Sequence, residues 1–105
     1  MENNVVFSLE SIQDLNNLHD YILLISEDKN TAYNFVNSII SSIDILKDNP
    51  ECGKALVLQG VVTDFRYIVI KKYMIFYKYN HNKIIVSRII NSRRDYLSIL
   101  FPDFQ

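Results

Sequence analysis

The strongest constraint in this 105-residue sequence is a change of hydrophobic period at Asn49-Pro50. Before that point apolar residues recur every three or four positions. Ile12, Leu15, Leu18, His19, Ile22 and Ile25 form one stripe, and Gln13, Asp14, Asn16, Asn17 and Asp20 lie opposite, which predicts an amphipathic helix. Ser8 is placed to cap its start, with Glu10 in the first turn, after the β-branched and aromatic run Val5-Val6-Phe7. A polar break at Ser26 to Asn30 precedes a second stripe of Ala32, Phe35, Val36, Ile39, Ile40, Ile43 and Leu46. Pro50 ends that helix, because its ring drives the preceding residue out of the α region. Two helices joined by about five residues are expected to lie antiparallel.

After Pro50 the pattern becomes that of strands. Residues 51–63, which hold both glycines, read as a loop with a short extended piece. Phe65 to Ile70, Tyr73 to Tyr79 and Lys83 to Ile90 are rich in Ile, Val, Tyr and Phe, and the gaps Lys71-Lys72 and Asn80-His81-Asn82 suit hairpins. Alternation places Ile68 and Ile70 on one face with Arg66, and groups Ile75, Tyr77 and Tyr79. Ser92 to Leu100 reads as a short helix or turn closed by Pro102. The expected fold class is α+β: an N-terminal strand and an antiparallel helix hairpin packed on an antiparallel β-sheet, in the order β-α-α-β-β-β with a short C-terminal helix or turn. The length and the lack of a linker predict a single domain over residues 1–105.

Composition narrows the chemistry. With 49% apolar and 22% charged residues the chain is expected to be globular, not disordered. The N-terminus lacks the basic region of a secretory signal, and no apolar run approaches the roughly 20 residues that span a bilayer. A cytoplasmic location without membrane association is the expectation. Cys52 is the single cysteine, so no disulfide framework or multi-cysteine zinc site is expected. His19 and His81 stand far apart in sequence, and Gly53 and Gly60 cannot form a phosphate-cradling loop. No metal and no cofactor is predicted.

The net charge of −1 conceals a division. Residues 1–50 hold eight acidic and two basic side chains, whereas residues 51–105 hold nine basic and four acidic ones. The later cations Arg66, Lys71, Lys72, Lys78, Lys83, Arg88, Arg93 and Arg94 are interleaved with Tyr67, Tyr73, Phe76, Tyr77, Tyr79 and Tyr96. Such a stretch can form a local field for an anionic partner, or it can be sheet core with lysines reaching to solvent. The adjacent pair Arg93-Arg94, just past a strand end, has no packing motive and points to partner contact.

Three segments in order resemble the RelE/ParE superfamily of type II toxins: VVFSLESIQDLNNLHDYI, NTAYNFVNSIISSIDILKDNPECGKAL and FRYIVIKKYMIFYKYNHNKIIVSRIINSRRDYLSILF. The resemblance covers nearly the whole chain and implies the fold already derived. It also implies growth arrest by one of two routes, with neutralisation by a cognate antitoxin that wraps a disordered segment around the toxin. RelE-like members cut mRNA on the ribosome, using cationic side chains to stabilise charge on the scissile phosphate. ParE-like members, associated with plasmid stabilisation, inhibit DNA gyrase by docking and carry no catalytic residues. In the RelE pattern an arginine lies in the middle strand, where this chain has Met74, and the downstream tyrosine is missing because Tyr96 comes early. The resemblance therefore favours the ParE-like branch, with partner contacts expected at Arg66, Arg88, Arg93, Arg94 and Tyr96. On the RelE-like alternative, Lys71, Lys72, Arg93 and Arg94 would grip the phosphate, and the partners would be ribosome and mRNA.

Overall fold

The computed structural model describes residues 3–103. Strand β1 (Asn4–Phe7) leads into helix α1 (Leu9–Ser26) and helix α2 (Lys29–Ile43), which is followed by a 3-10 turn at Asp44–Lys47. Strands β2 (Lys54–Leu58), β3 (Val61–Ile70), β4 (Tyr73–Asn80) and β5 (Lys83–Asn91) follow, and a short helix α3 (Tyr96–Leu100) ends the order. The α+β architecture is the expected one. The five strands form one sheet in the order β1-β5-β4-β3-β2. Three ladders are antiparallel, but β1 joins β5 in parallel, so the sheet is mixed. Among the described residues no helix is long and apolar enough to cross a membrane.

Local chemistry sets the helix ends. Ser8 is the N-cap of α1, accepting from the Ser11 N–H while its hydroxyl donates to the Ser87 carbonyl of β5. The helix stops at Glu27, which adopts the left-handed conformation, and Asp28 then caps α2 through the Asn30 N–H. The hairpin connection is thus two residues, tighter than the expected five, because Glu27 and Asp28 act as C-cap and N-cap in succession.

The helix hairpin packs on one sheet face. Leu15, Leu18, Ile22, Ala32, Ile39, Ile43 and Leu46 meet Ile75, Tyr77, Ile84, Val86 and Ile89, with Ile68, Ile70, Tyr73 and Tyr79 at the margins. The buried face of α1 runs through Ser11, Leu15, Leu18 and Ile22, which leaves Ile12 and Ile25 of the expected stripe exposed. On the other face Leu56, Met74, Phe76 and Ile90 are covered by α3 through Tyr96, Leu97, Ile99 and Leu100. The sheet therefore buries both faces of its central strand, as the unbroken buried run Met74 to Tyr77 requires.

The segment expected to be mostly loop, residues 51–63, contains a hairpin. Gln59 and Gly60 both take positive φ, the geometry of a tight two-residue turn, and join β2 to a β3 that starts four residues earlier than expected. The β2–β3 ladder slips between Ala55 and Val57, where Thr63 Oγ1 donates to the Leu56 carbonyl and accepts from the Phe65 N–H. The β4–β5 turn uses the same device at His81 and Asn82.

Two polar anchors lock long-range geometry. The buried Tyr77 hydroxyl donates to the Pro50 carbonyl (2.8 Å) and accepts from the Gly53 N–H (3.0 Å). Gly53 is fixed as glycine by this approach, since an added Cβ would lie 2.8 Å from the Tyr77 ring and 3.0 Å from the Tyr67 carbonyl oxygen. The second anchor is Asp14, which accepts from Arg88 Nε (2.8 Å), from Arg88 Nη2 (3.0 Å) and from the Ile89 N–H (2.9 Å). β1 ends opposite Val86, so a carboxylate from α1 satisfies a β5 edge amide beyond the end of the parallel ladder.

A basic tyrosine-lined cleft as candidate functional site

The end of the helix hairpin, the β3–β4 turn and the end of β5 enclose a cleft of about 390 Å³. Helix α1 supplies Tyr21, Ile22 and Ile25, and α2 supplies Phe35. The turn supplies Lys71 and Lys72, strand β4 supplies Tyr73, and the chain leaving β5 supplies Asn91 and Arg93. Among the described residues three cations and no carboxylate line this cavity. Lys71 takes positive φ, and its Nζ lies 5.2 Å from the centre of the Phe35 ring. Phe35 in turn meets Tyr73 edge-on at 6.1 Å. Burial raises the Tyr73 phenol above its ordinary value, with the neighbouring Asn91 side chain opposing the shift, so Tyr73 is neutral at physiological pH.

The residues singled out from the sequence separate into distinct environments. Lys71, Lys72 and Arg93 converge on the cleft, while Arg94 is exposed outside its lining. Among the described residues neither Arg93 nor Arg94 forms an ion pair. Their backbone turn is held by Asn91, whose side chain accepts from the Arg93 N–H and whose carbonyl accepts from the Arg94 N–H. Arg66 is engaged internally: its Nη1 donates to the carbonyls of Glu51 (3.2 Å) and Gly53 (3.0 Å), clamping the same loop as Tyr77. Arg88 is held by Asp14, whose hydrogen bond raises the guanidinium's pKa further against the opposing effect of burial. Tyr96 packs on Phe76, ring centres 5.4 Å apart, on the α3 side of the sheet and not at the cleft.

Nothing in the sequence pattern marks Tyr21, Ile25 and Phe35 as companions of the basic turn, which the fold places beside it. Ile25 and Phe35 lie on the apolar stripes of the two helices and so read as core; only the fold leaves Ile25 60% exposed. Chemically the cleft can hold an anionic group on cations while aromatic and aliphatic walls take an apolar neighbour.

Met74 decides a further point. It is 6% exposed and sealed among Phe76, Ile90 and the residues of α3, so the middle strand carries no cation at that position.

The geometry agrees with the relatives the chain resembles. Its backbone is similar to the chromosomal ParDE TA system of P. aeruginosa, with a TM-score of 0.73 at 14% identity over 85% of this chain and 95% of that one. It is also similar to the toxin–antitoxin complex RelBE2 of Mycobacterium tuberculosis, with a TM-score of 0.64 at 15% identity over 87% and 99% of the two chains. No curated protein sequence matches significantly. The family model for the ParE toxin of the type II toxin–antitoxin system parDE matches residues 5–96, from the first strand to the start of α3. The chain belongs to the ParE toxin family and is a toxin of the type II toxin–antitoxin class.

Proposed function

We propose that this toxin is one cytoplasmic domain spanning residues 1–105, that it inhibits DNA gyrase by protein–protein docking, and that a cognate antitoxin keeps it silent. The observation that carries the reading is Met74, packed under α3 where an RNA-cutting relative would need a strand arginine. A thioether cannot stabilise the charge that builds on a scissile phosphate. Docking needs no such group, and it uses exposed side chains such as Arg93 and Arg94, with Tyr96 at the edge of the α3 cluster. The toxin–antitoxin relatives above support an antitoxin partner.

Purified protein added to gyrase and relaxed plasmid is expected to block supercoiling in a dose-dependent manner. Normal supercoiling at saturating protein ends this reading. One observation favours a second reading, ribosome-dependent mRNA cleavage: Lys71, Lys72 and Arg93 share one cleft, where they could hold a phosphate. That reading predicts codon-positioned cuts in primer extension, lost on replacing Lys72 and Arg93. Intact transcripts under growth arrest count against it.

A further inference from the structure

The basic side of the cleft is built to present a pair of cations. Tyr73 and Asn91 are cross-strand partners at the end of the β4–β5 ladder, and beside them the Ser92 N–H donates to the Lys72 carbonyl (2.8 Å). That bond ties the β3–β4 turn to the chain leaving β5, so the segments carrying Lys72 and Arg93 run side by side. Among the described residues neither side chain forms an ion pair. Lys71, the third cation, lies over the Phe35 ring and keeps that wall in place. The Tyr73 phenol stays protonated and adds a neutral O–H donor to the lining.

Outside the lining the charge is mixed. Lys29 opens α2 directly after the exposed Glu27 and Asp28, and the exposed Arg94 is followed by Asp95. Asp20 stands just before Tyr21 on α1. Each flanking cation therefore has an acid next to it in sequence, and unopposed positive charge is confined to the cavity. A nucleic acid strand needs a continuing basic track for its successive phosphates, whereas one phosphate needs only the cavity. The opposite wall offers Tyr21, 55% exposed, and Ile25, a ring and an aliphatic surface against which a planar group can lie.

We propose that the cleft is a binding site for a small phosphate monoester with a planar aromatic body, the chemistry of a nucleoside monophosphate. The phosphate sits between Lys72 and Arg93, the arginine supplying a planar fork of donors and the lysine a compact charge. The aromatic body lies on Tyr21 and Ile25. A volume of about 390 Å³ falls within the range of roughly 300–1,000 Å³ that small-molecule sites occupy. The same chemistry has two sources, a free nucleotide and the phosphorylated end of a nucleic acid strand, and the confinement of the charge favours the free one. The inference does not depend on the target on which the toxin acts.

Isothermal titration calorimetry with the four ribonucleoside 5′-monophosphates tests it. At least one is expected to bind one per chain with saturation below about 1 mM, and its nucleoside and inorganic phosphate should each bind at least about tenfold more weakly. Lys72→Gln/Arg93→Gln should weaken the nucleotide at least about tenfold, and Tyr21→Ala should weaken it while leaving inorganic phosphate unchanged. Lys29→Gln and Arg94→Gln should change its affinity by less than about twofold. All five side chains are exposed, so these variants should keep the fold, which circular dichroism and a thermal melt verify. Absence of saturation with all four nucleotides would overturn the inference, as would inorganic phosphate binding as tightly as the nucleotide or an affinity indifferent to the double variant. A 5′-phosphorylated oligouridylate of about ten nucleotides separates the two sources. It is expected to bind no more tightly than the free nucleotide, and tighter binding by the strand would assign the site to nucleic acid and overturn the inference.

Discussion

Replacing Tyr77 by Phe tests the anchor that ties the loop before β2 to the middle of the sheet. The ring is fully buried and would remain so, leaving apolar contacts unchanged. The loss is confined to a hydroxyl that serves two groups, the Pro50 carbonyl and the buried Gly53 N–H. A buried polar group left without a partner costs about 1–3 kcal/mol, so two of them predict a loss of roughly 2–6 kcal/mol. With a urea dependence of about 2 kcal/mol per molar, the unfolding midpoint should fall by roughly 1–3 M. Amide exchange at Gly53 should accelerate, while amides in β5 change only with global stability. Burial also raises the Tyr77 phenol above its ordinary value of about 10. On raising the pH the unfolded chain therefore releases this proton first, so the folded state binds more protons and stability falls with pH. The contribution is fully present below pH of about 10 and is lost as the pH passes through the folded value. The gap between wild type and Tyr77→Phe should be flat at neutral pH and should narrow above about pH 10. Tyr73 is shifted the same way in both proteins and cancels in the difference. A midpoint change worth less than about 0.5 kcal/mol, or a gap that stays constant through alkaline pH, would refute the reasoning.

Three further outcomes follow from other parts of the molecule. Asp14→Ala strands both the partly buried Arg88 guanidinium and the Ile89 amide, so urea unfolding should show a loss of about 2–4 kcal/mol, and a double-mutant cycle with Arg88→Ala should show clear coupling. Glu27→Gly relieves a left-handed residue at the C-cap of α1 and should raise stability by about 0.5–1 kcal/mol in the same assay. Met74→Arg drives a charge beneath α3 and should lower the melting temperature sharply, without creating transcript cleavage in primer extension.

Legibility in the sequence followed the range of the interaction. Ser8 as a cap and the short gap before β5 depend on neighbours a few residues away, and both stand where the pattern placed them. The β2–β3 turn is equally local, yet Gln59-Gly60 is a weaker signal than an Asn-Gly pair. The Val-rich flanks around it were too short to read as paired strands. Asp14 shows the other limit. It lies on the polar side of the α1 pattern and reads as a solvated acid, but its partner Arg88 is 74 positions away and becomes a neighbour only when α1 crosses the end of β5. The parallel pairing of β1 is hidden for the same reason. Four residues reveal a strand, but not which of two sheet edges will accept it.

That distinction also governs how the basic half of the chain is used. Counted from sequence, nine cations after Pro50 look interchangeable. In the fold Arg66 is used on backbone carbonyls and Arg88 on a carboxylate, while Lys71 and Lys78 lie over aromatic rings. Neutralising any of these perturbs the folded state before it perturbs a partner, so loss of toxicity on such a change would say little about contact. Lys72, Arg93 and Arg94 differ: like Lys54 and Lys83 they are exposed and make no ion pair among the described residues, but Lys72 and Arg93 line the cleft and Arg94 adjoins it in sequence. Substitutions at these three positions separate binding from folding, and an effect on a partner without an effect on the unfolding midpoint is the signature that distinguishes a contact residue from a structural one.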